Sequence, residues 1–325
     1  AGRDPAYEKL QAKKVMTVDA FYTDHYLPYA KAHLRTWHRY ALYYRKHLKN
    51  RFGDLPLNKV TLADVQQVHS ELAATGLKPA TCDHVAKFMR VLLNKAVKFG
   101  KLSSNPLTGL ELFNADNKQQ RYLSRDEMQR LMRQLSLDSN REVACLVTLL
   151  VATGARRGEA FHAKWGDIDL AAKTWHIPAA SAKAKVGRHV PLNNLALAAL
   201  KEAETRRSKH KSQYVFESPR TGTCFTDIKH QWQRILRDAG VERCRVHDLR
   251  HSFASWLVQG GTSLYAVSKL LGHADPAVTQ RYAHLSQETL QTESDRLGTA
   301  LLETLQPANT LPASGREGSD DDKAA

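Results

Sequence analysis

The chain has 325 residues, 42% of them hydrophobic and 25% charged; it is too long for a single core, and no apolar run long enough to span a bilayer and no charged-then-apolar leader is seen in it. Forty-eight Lys and Arg against 33 Asp and Glu leave a net charge of +15, which points to a polyanionic partner, nucleic acid ahead of an acidic membrane. The four cysteines, Cys82, Cys145, Cys224 and Cys244, are far apart and form no CxxC pair, against a zinc site or a disulfide framework and for a cytoplasmic protein with reduced thiols.

Residues 1–16 are polar and read as a linker. From Thr17 to Phe52 helical spacing dominates, with Phe21, Tyr22, Tyr26, Trp37, Tyr40, Tyr43 and Tyr44, and Pro28 is predicted to divide it into two helices. Thr61 with Asp64 three residues on predicts an N-terminus for a helix that runs to about Ala74 and ends near Gly76. A further helix is predicted from Pro79 to Phe99, its apolar face built from Val85, Phe88, Met89, Leu92, Leu93, Ala96 and Val97, with Gly100 as its stop. Residues 17–112 therefore form a helical bundle with basic outer faces, and its aromatics are expected in the core rather than on a base-stacking surface.

Residues 113–122 are expected to link the two domains, on the polar run from Asn114 to Arg121. The second domain, 123–306, opens on a capping box of Ser124 and Glu127. Val143 to Ala152 is apolar enough to be a buried helix. Trp165–Ile168, Thr174–Ile177 and His189–Leu192 read as short strands near the domain's edge. Helices are expected again at Leu195–Arg206, Lys229–Ala239, His247–Gln259 and Tyr265–Leu271. Residues 307–325, with Pro, Ser, Gly and an Asp320-Asp321-Asp322 run, are expected to be disordered. The fold class expected is mainly α with a small antiparallel β-sheet: a helical domain followed by a mixed α/β domain.

Four separated segments carry chemistry together. In Thr153-Gly154-Ala155-Arg156-Arg157-Gly158-Glu159 a tight glycine turn delivers Arg156 beside an apolar core; Glu159 either steadies it for an anion or forms a plain intrahelical pair. Lys183 lies in a polar stretch between two β-like runs, where a lysine is ordinarily just solvated. In Val246-His247-Asp248-Leu249-Arg250-His251 the pair His247 and Arg250 shares one helical face. Gly272 ends a helix and puts His273 at a turn, and Tyr282 follows nine residues later. Two arginines, a lysine, two histidines and a tyrosine suit phosphoryl transfer on a diester: guanidinium forks match the charged oxygens, a phenol attacks, and Lys or His supplies a proton to the leaving oxygen. The sequence contains no Asp/Glu cluster of the kind that holds paired metal ions and no GK[ST] loop for a nucleotide triphosphate, so no metal and no cofactor are expected.

These segments resemble the tyrosine recombinases, or phage integrases. TGARRGE looks like the family's first arginine motif, with Arg156 on its catalytic arginine. Lys183 stands five residues before Arg188 and eight before Pro191-Leu192, the spacing of the family's β-hairpin lysine, with Lys185 a less well spaced competitor. HDLRH supplies the HxxR pair as His247 and Arg250, and LLGH followed by Tyr282 matches the LGHxxxxxxxxY box. The resemblance covers residues 124–290, and the bundle at 17–110 resembles the family's core-binding domain.

The resemblance implies that Tyr282 attacks the scissile phosphate to leave a 3′-phosphotyrosyl bond, that Arg156 and Arg250 clamp its oxygens, and that Lys183 protonates the 5′ leaving oxygen. It further implies assistance from His247 and His273, with Glu159 and Asp248 as supports. The implied partner is double-stranded DNA, gripped by both domains mainly through its phosphates, with a tetramer on two DNA sites, possible DNA-bending accessory proteins, and a nucleoid-associated bacterial or phage setting. Leu290 to Leu305 is expected to dock either on its own domain or on a neighbouring protomer. Gly2-Arg3-Asp4-Pro5 and the Lys-rich stretch after it look like the linker behind an arm-type DNA-binding domain of prophage and island integrases, so a longer natural protein is expected. A type IB topoisomerase and a catalytically inactive DNA-binding regulator are the alternatives; the order of the boxes opposes the first and the complete set of six residues opposes the second.

Overall fold

A computed structural model describes residues 15–114, 121–179, 186–207, 212–273 and 275–305. The chain divides into two units, Ala1–Gln119 and Gln120–Ala325. The expected linker at 1–16, for all but its last two residues, and the whole 307–325 tail lie outside the described residues.

In the first unit Thr17 caps helix α1 (Val18–Phe21) by accepting a bond from the Ala20 amide. Pro28 does not divide the helix, contrary to the sequence expectation. A π-turn over Tyr22–Tyr26 leads straight into α2 (Leu27–His33), with Pro28 in its first turn, where a missing N–H is tolerated. The break falls at Leu34 instead, whose backbone is extended, before α3 (Trp37–Tyr43), a second π-turn (Tyr44–Leu48) and α4 (Lys49–Phe52). Thr61 and Asp64 form the expected capping box at the start of α5 (Leu62–Ala74), and α6 (Pro79–Lys98) follows. Of the aromatics expected in the core, Phe21, Tyr22, Tyr26 and Tyr44 are buried, together with Phe52 and Phe88, while Trp37, Tyr40 and Tyr43 are half-buried against its edge; the Tyr44 hydroxyl donates to Asp19 at 2.9 Å. Each such ring contributes about 1.5–3 kcal/mol by leaving water. The unit's end is tied down by a buried pair, His69 Nε2 to Asp83 Oδ1 at 2.8 Å, whose carboxylate also accepts from the Phe113 and Asn114 amides.

The second unit starts with α7 (Arg125–Leu137), capped by the Ser124–Glu127 box. Helix α8 (Arg141–Thr153) is the apolar segment of the sequence; Val143, Leu146, Val147 and Leu149 are wholly buried against α7 and α10 (Asn194–Thr205). After the short α9 (Arg157–Phe161) comes an antiparallel sheet in the order β1-β2-β3: Ile168–Asp169, Thr174–Ile177 and Arg188–Pro191. Trp165 does not start a strand as expected: Trp165–Asp167 form a 3-10 turn, since Gly166 and Asp167 favour a turn over an extended chain. Trp175 and Val190 pair across the sheet and face the core. Helices α11 (Lys229–Asp238), α12 (Asp248–Gln259) and α13 (Leu264–Leu271) follow, then 3-10 turns at Pro276–Val278 and Gln280–Ser286, then α14 (Gln287–Leu305). A satellite core of Ala254, Val258, Val267, Leu271 and Tyr282 joins α12, α13 and the second 3-10 turn. No helix among the described residues is long and apolar enough to cross a membrane.

A hydrogen bond and charge from Arg121, only partly opposed by burial, hold the Glu127 carboxyl at about 2, below its ordinary 4.5. A carboxylate depressed in this way stabilises the fold above its unfolded pKa and loses that contribution as pH falls through the folded value. Stability is therefore expected to decline between about pH 4.5 and about pH 2, and Glu127→Gln to flatten this decline in thermal melts recorded across the window.

Candidate active site

Two helix ends and one buried arginine define the site. Helix α8 stops at Gly154 and α13 at Gly272, both left-handed with φ of 61° and 64°. A helix end leaves carbonyls without partners inside the helix. Arg250, buried on the first turn of α12, donates to Gly154 O at 2.9 Å and to Leu271 O at 2.7 Å. Glycine is needed at 154 for a second reason: a Cβ there would stand 2.4 Å from the Phe253 ring of α12. Arg156 donates to Gly272 O at 3.2 Å and to Glu159 at 3.1 Å. It is the N-cap of α9, so its pairing with Glu159 is a capping contact rather than an intrahelical one; the Glu159 carboxylate also accepts from the Arg156 amide at 2.8 Å.

Glu159 carries a second arginine. Arg188, at the start of β3, meets its carboxylate with two nearly parallel bonds of 2.8 and 2.7 Å. Burial alone would raise the Glu159 carboxyl; the bonds and charges of Arg188 and Arg156 hold it below the usual range instead. Among the described residues no carboxylate forms an ion pair with Arg250. Two guanidinium groups thus share one carboxylate while Arg250 rests on carbonyls, and the surplus charge invites an anion. Burial and then the Arg156 charge pull Arg250 down to about 9, and burial with the Arg250 and Arg156 charges pulls His273 down to about 4.

Tyr282 stands in the satellite core, 5% exposed. Burial raises its pKa while the charges of Arg281 and Arg250 act against that rise. Its hydroxyl meets His251 Nδ1 at 2.6 Å. His273 Nδ1 is held by the Thr279 hydroxyl at 2.7 Å. His247 caps α12, stacks edge-on to His251 with ring centroids 5.1 Å apart, and has its pKa lowered by burial and then by Arg250. Asp248 is buried and spends its carboxylate on Arg245, at 2.7 Å, which orients the loop before α12.

The structure thus gathers Arg156, Glu159, Arg250, His273 and Tyr282, with His247 and Asp248 at the start of the central helix. Lys183 and its competitor Lys185 lie outside the described residues. Two contacts escaped the sequence reading. His251 is one turn beyond His247 on the same helix face, an i, i+4 spacing that offered a signal. Along the sequence Arg188 is only a spacing marker; no local pattern shows that a strand residue shares the carboxylate of Glu159. Such a set can bind a phosphodiester and present a phenol to it.

Comparison with known proteins agrees with this chemistry. The model of the phage integrase family matches residues 121–289, and that of the phage integrase N-terminal SAM-like domain matches residues 20–73. The chain is 30% identical over 243 residues to the integrase of Salmonella phage P22, a match covering 71% of this chain and 60% of that protein. It is 29% identical over 243 residues to the tyrosine recombinase XerD of Caulobacter vibrioides, covering 70% of this chain and 77% of the relative. Among solved structures, a lambda integrase tetramer bound to a Holliday junction aligns with a TM-score of 0.69 at 17% identity, covering 87% of this chain and 81% of that one. The Tn1549 transposon integrase in complex with a circular intermediate DNA aligns at 0.67 and 16% identity, covering 87% and 99%. At these identities the solved structures share the fold.

At Gly272 a Cβ would fall 2.4 Å from Arg188 Cδ, whereas at Gly261, also left-handed, it would meet nothing within 4 Å. Gly261→Ala is expected to lose about 1–2 kcal/mol from backbone strain alone. Gly272→Ala should lose clearly more, because Arg188 is pinned to Glu159. Urea unfolding of both variants checks this; equal losses would mean that Arg188 yields freely.

Proposed function

The chain belongs to the phage integrase family of tyrosine recombinases, and on that premise we propose that it is a site-specific DNA recombinase which cuts and rejoins strands through a bond between Tyr282 and a DNA phosphate. One observation supports this above the rest: Arg250, whose hydrogen bonds among the described residues go to the carbonyls of Gly154 and Leu271, and Arg156, bonded to Gly272 O, meet at the end of α13, and Tyr282 packs against that same helix end in one buried cluster with Leu271.

Arg250 and Arg156 grip the non-bridging oxygens of the scissile phosphate. Carbonyls already hold both side chains in place, so little reorganisation is needed as charge builds up on those oxygens. Glu159 keeps Arg156 and Arg188 from drifting apart under mutual repulsion, and Asp248 sets the entry of the helix that bears His247 and Arg250. The phenol oxygen attacks phosphorus, the bond to the 5′ oxygen breaks, and a 3′-phosphotyrosyl link remains beside a free 5′-hydroxyl. Lys183 gives the proton that the leaving oxygen needs, a role that rests on its spacing in the sequence. One ester replaces another, so the step conserves energy and calls for no cofactor. A phosphate in the site also offsets the positive charges that depress His273, which then helps to hold it.

The substrate is double-stranded DNA, held largely through its backbone, with residues 17–112 adding contacts to those of the catalytic unit, and the working form is a tetramer on two sites. Leu297, Leu301 and Leu302 are exposed along α14 and form an apolar stripe fit for a neighbouring protomer. DNA-bending accessory proteins complete the assembly on sites whose arms must be brought together.

A nicked suicide duplex should trap wild-type protein as a covalent adduct, and Tyr282→Phe should abolish the adduct while sparing binding in a gel-shift assay. An adduct formed by the Phe variant would overturn the assignment of the nucleophile. Lys183→Ala should slow cleavage of the ordinary ester by about 10²–10⁴ while nearly sparing a 5′-thio ester, whose leaving group needs no proton. Equal losses on the two substrates would remove Lys183 from that role.

A further inference from the structure

A phenol whose pKa burial has raised does not ionise on its own near neutral pH, so attack by Tyr282 requires a neighbouring atom that takes its proton. Among the described residues the group at hydrogen-bond distance from the reacting oxygen is His251, with Nδ1 2.6 Å from the hydroxyl. The other histidines are occupied or displaced. His273 turns its Nδ1 to Thr279, and His247 touches the ring of His251 edge-on. We propose that His251 is a further catalytic residue: its Nδ1 accepts the phenol proton of Tyr282 as the bond to phosphorus forms, and returns it when the strand is rejoined. This rests on the strand-transfer reading above.

The protonation state suits the task. Burial and then the neighbouring His247, with help from Arg281 and Arg245 and against the pull of Asp248, bring His251 down to about 4. The ring is therefore neutral at ordinary pH. With the phenol as donor, Nδ1 carries the lone pair and Nε2 the proton. In cleavage the O–H bond of Tyr282 breaks as its O–P bond forms, His251 becomes an imidazolium, and the 5′ oxygen receives its own proton from the acid on the other side. Rejoining reverses each transfer: the 5′-hydroxyl gives up its proton, the Tyr282 oxygen leaves phosphorus, and His251 hands the stored proton back. The incoming phosphate stabilises the transient imidazolium by offsetting the surrounding arginine charge.

The test is single-turnover adduct formation on the nicked suicide duplex with the full chain. His251→Asn keeps a polar atom near the Nδ1 position but takes no proton. It is expected to slow the step by about 10²–10⁴ near neutral pH with DNA binding intact, and to recover towards the wild-type rate as pH rises and solvent removes the phenol proton. His251→Gly should be rescued in part by added imidazole. An Asn variant as fast as wild type would overturn the proposal, as would a loss of equal size at every pH without imidazole rescue, which would reduce His251 to a positioning residue. Thermal melts of both variants separate these results from misfolding, and the Asn variant keeps more of the side chain if the Gly variant does not fold. Tyr282→Phe, run alongside, keeps the two readings apart: an adduct from it, or none from wild type, sinks the recombinase assignment itself.

Discussion

The site depends on the burial of Arg250 with no ion-paired carboxylate among the described residues. A guanidinium in such a place is costly unless anions or aligned dipoles surround it. Here the compensation comes from main-chain carbonyls at two helix ends, Gly154 O behind α8 and Leu271 O at the end of α13. The C-terminal end of a helix carries partial negative charge and unpaired acceptors, so it steadies a cation without neutralising it. The charge that remains is available to a ligand. The left-handed glycines at 154 and 272 follow from the same requirement, since each lets its helix stop where the carbonyls meet an arginine.

Around this arginine the protein keeps its cations just short of mutual expulsion. Glu159 serves Arg156 and Arg188 together; burial first, and the neighbouring arginine charges after it, lower the values of Arg250 and His273. A phosphodiester entering such a place offsets the repulsion among these cations, so part of the binding free energy comes from charge already assembled. The nucleophile stands under the opposite influence. Packing Tyr282 among Val258, Val267 and Leu271 keeps the phenol protonated, while Arg250 and Arg281 favour its anion. Withholding ionisation until an anion is in place limits idle reactivity.

Elements controlled by local forces are legible in the sequence. Thr61 with Asp64 and Ser124 with Glu127 formed their capping boxes because each needs only residues three apart. Elements on which local rules compete are not legible in this way. Pro28 marks a helix break on steric grounds, yet a π-turn ahead of it absorbs the missing bond and the helix passes through. Trp165 has the preference of a strand, but Gly166 and Asp167 turned it into a 3-10 turn.

Arg156, Arg250, His273 and Tyr282 could be named from their motifs because order and spacing along the chain persist whatever the surroundings, and the helical character of the elements followed from periodicity. What the motifs lacked was pairing. That Arg188 would share Glu159, that Arg250 would rest on the ends of two helices far apart in sequence, and that the Tyr282 hydroxyl would fall on His251 are outcomes of packing α8, α12, α13 and β3 into one core. Hydrogen bonds and charge interactions act over a few ångströms of space, whereas a sequence records only separation along the chain. The identities of the chemical groups were therefore legible in one dimension, and their partners only in three.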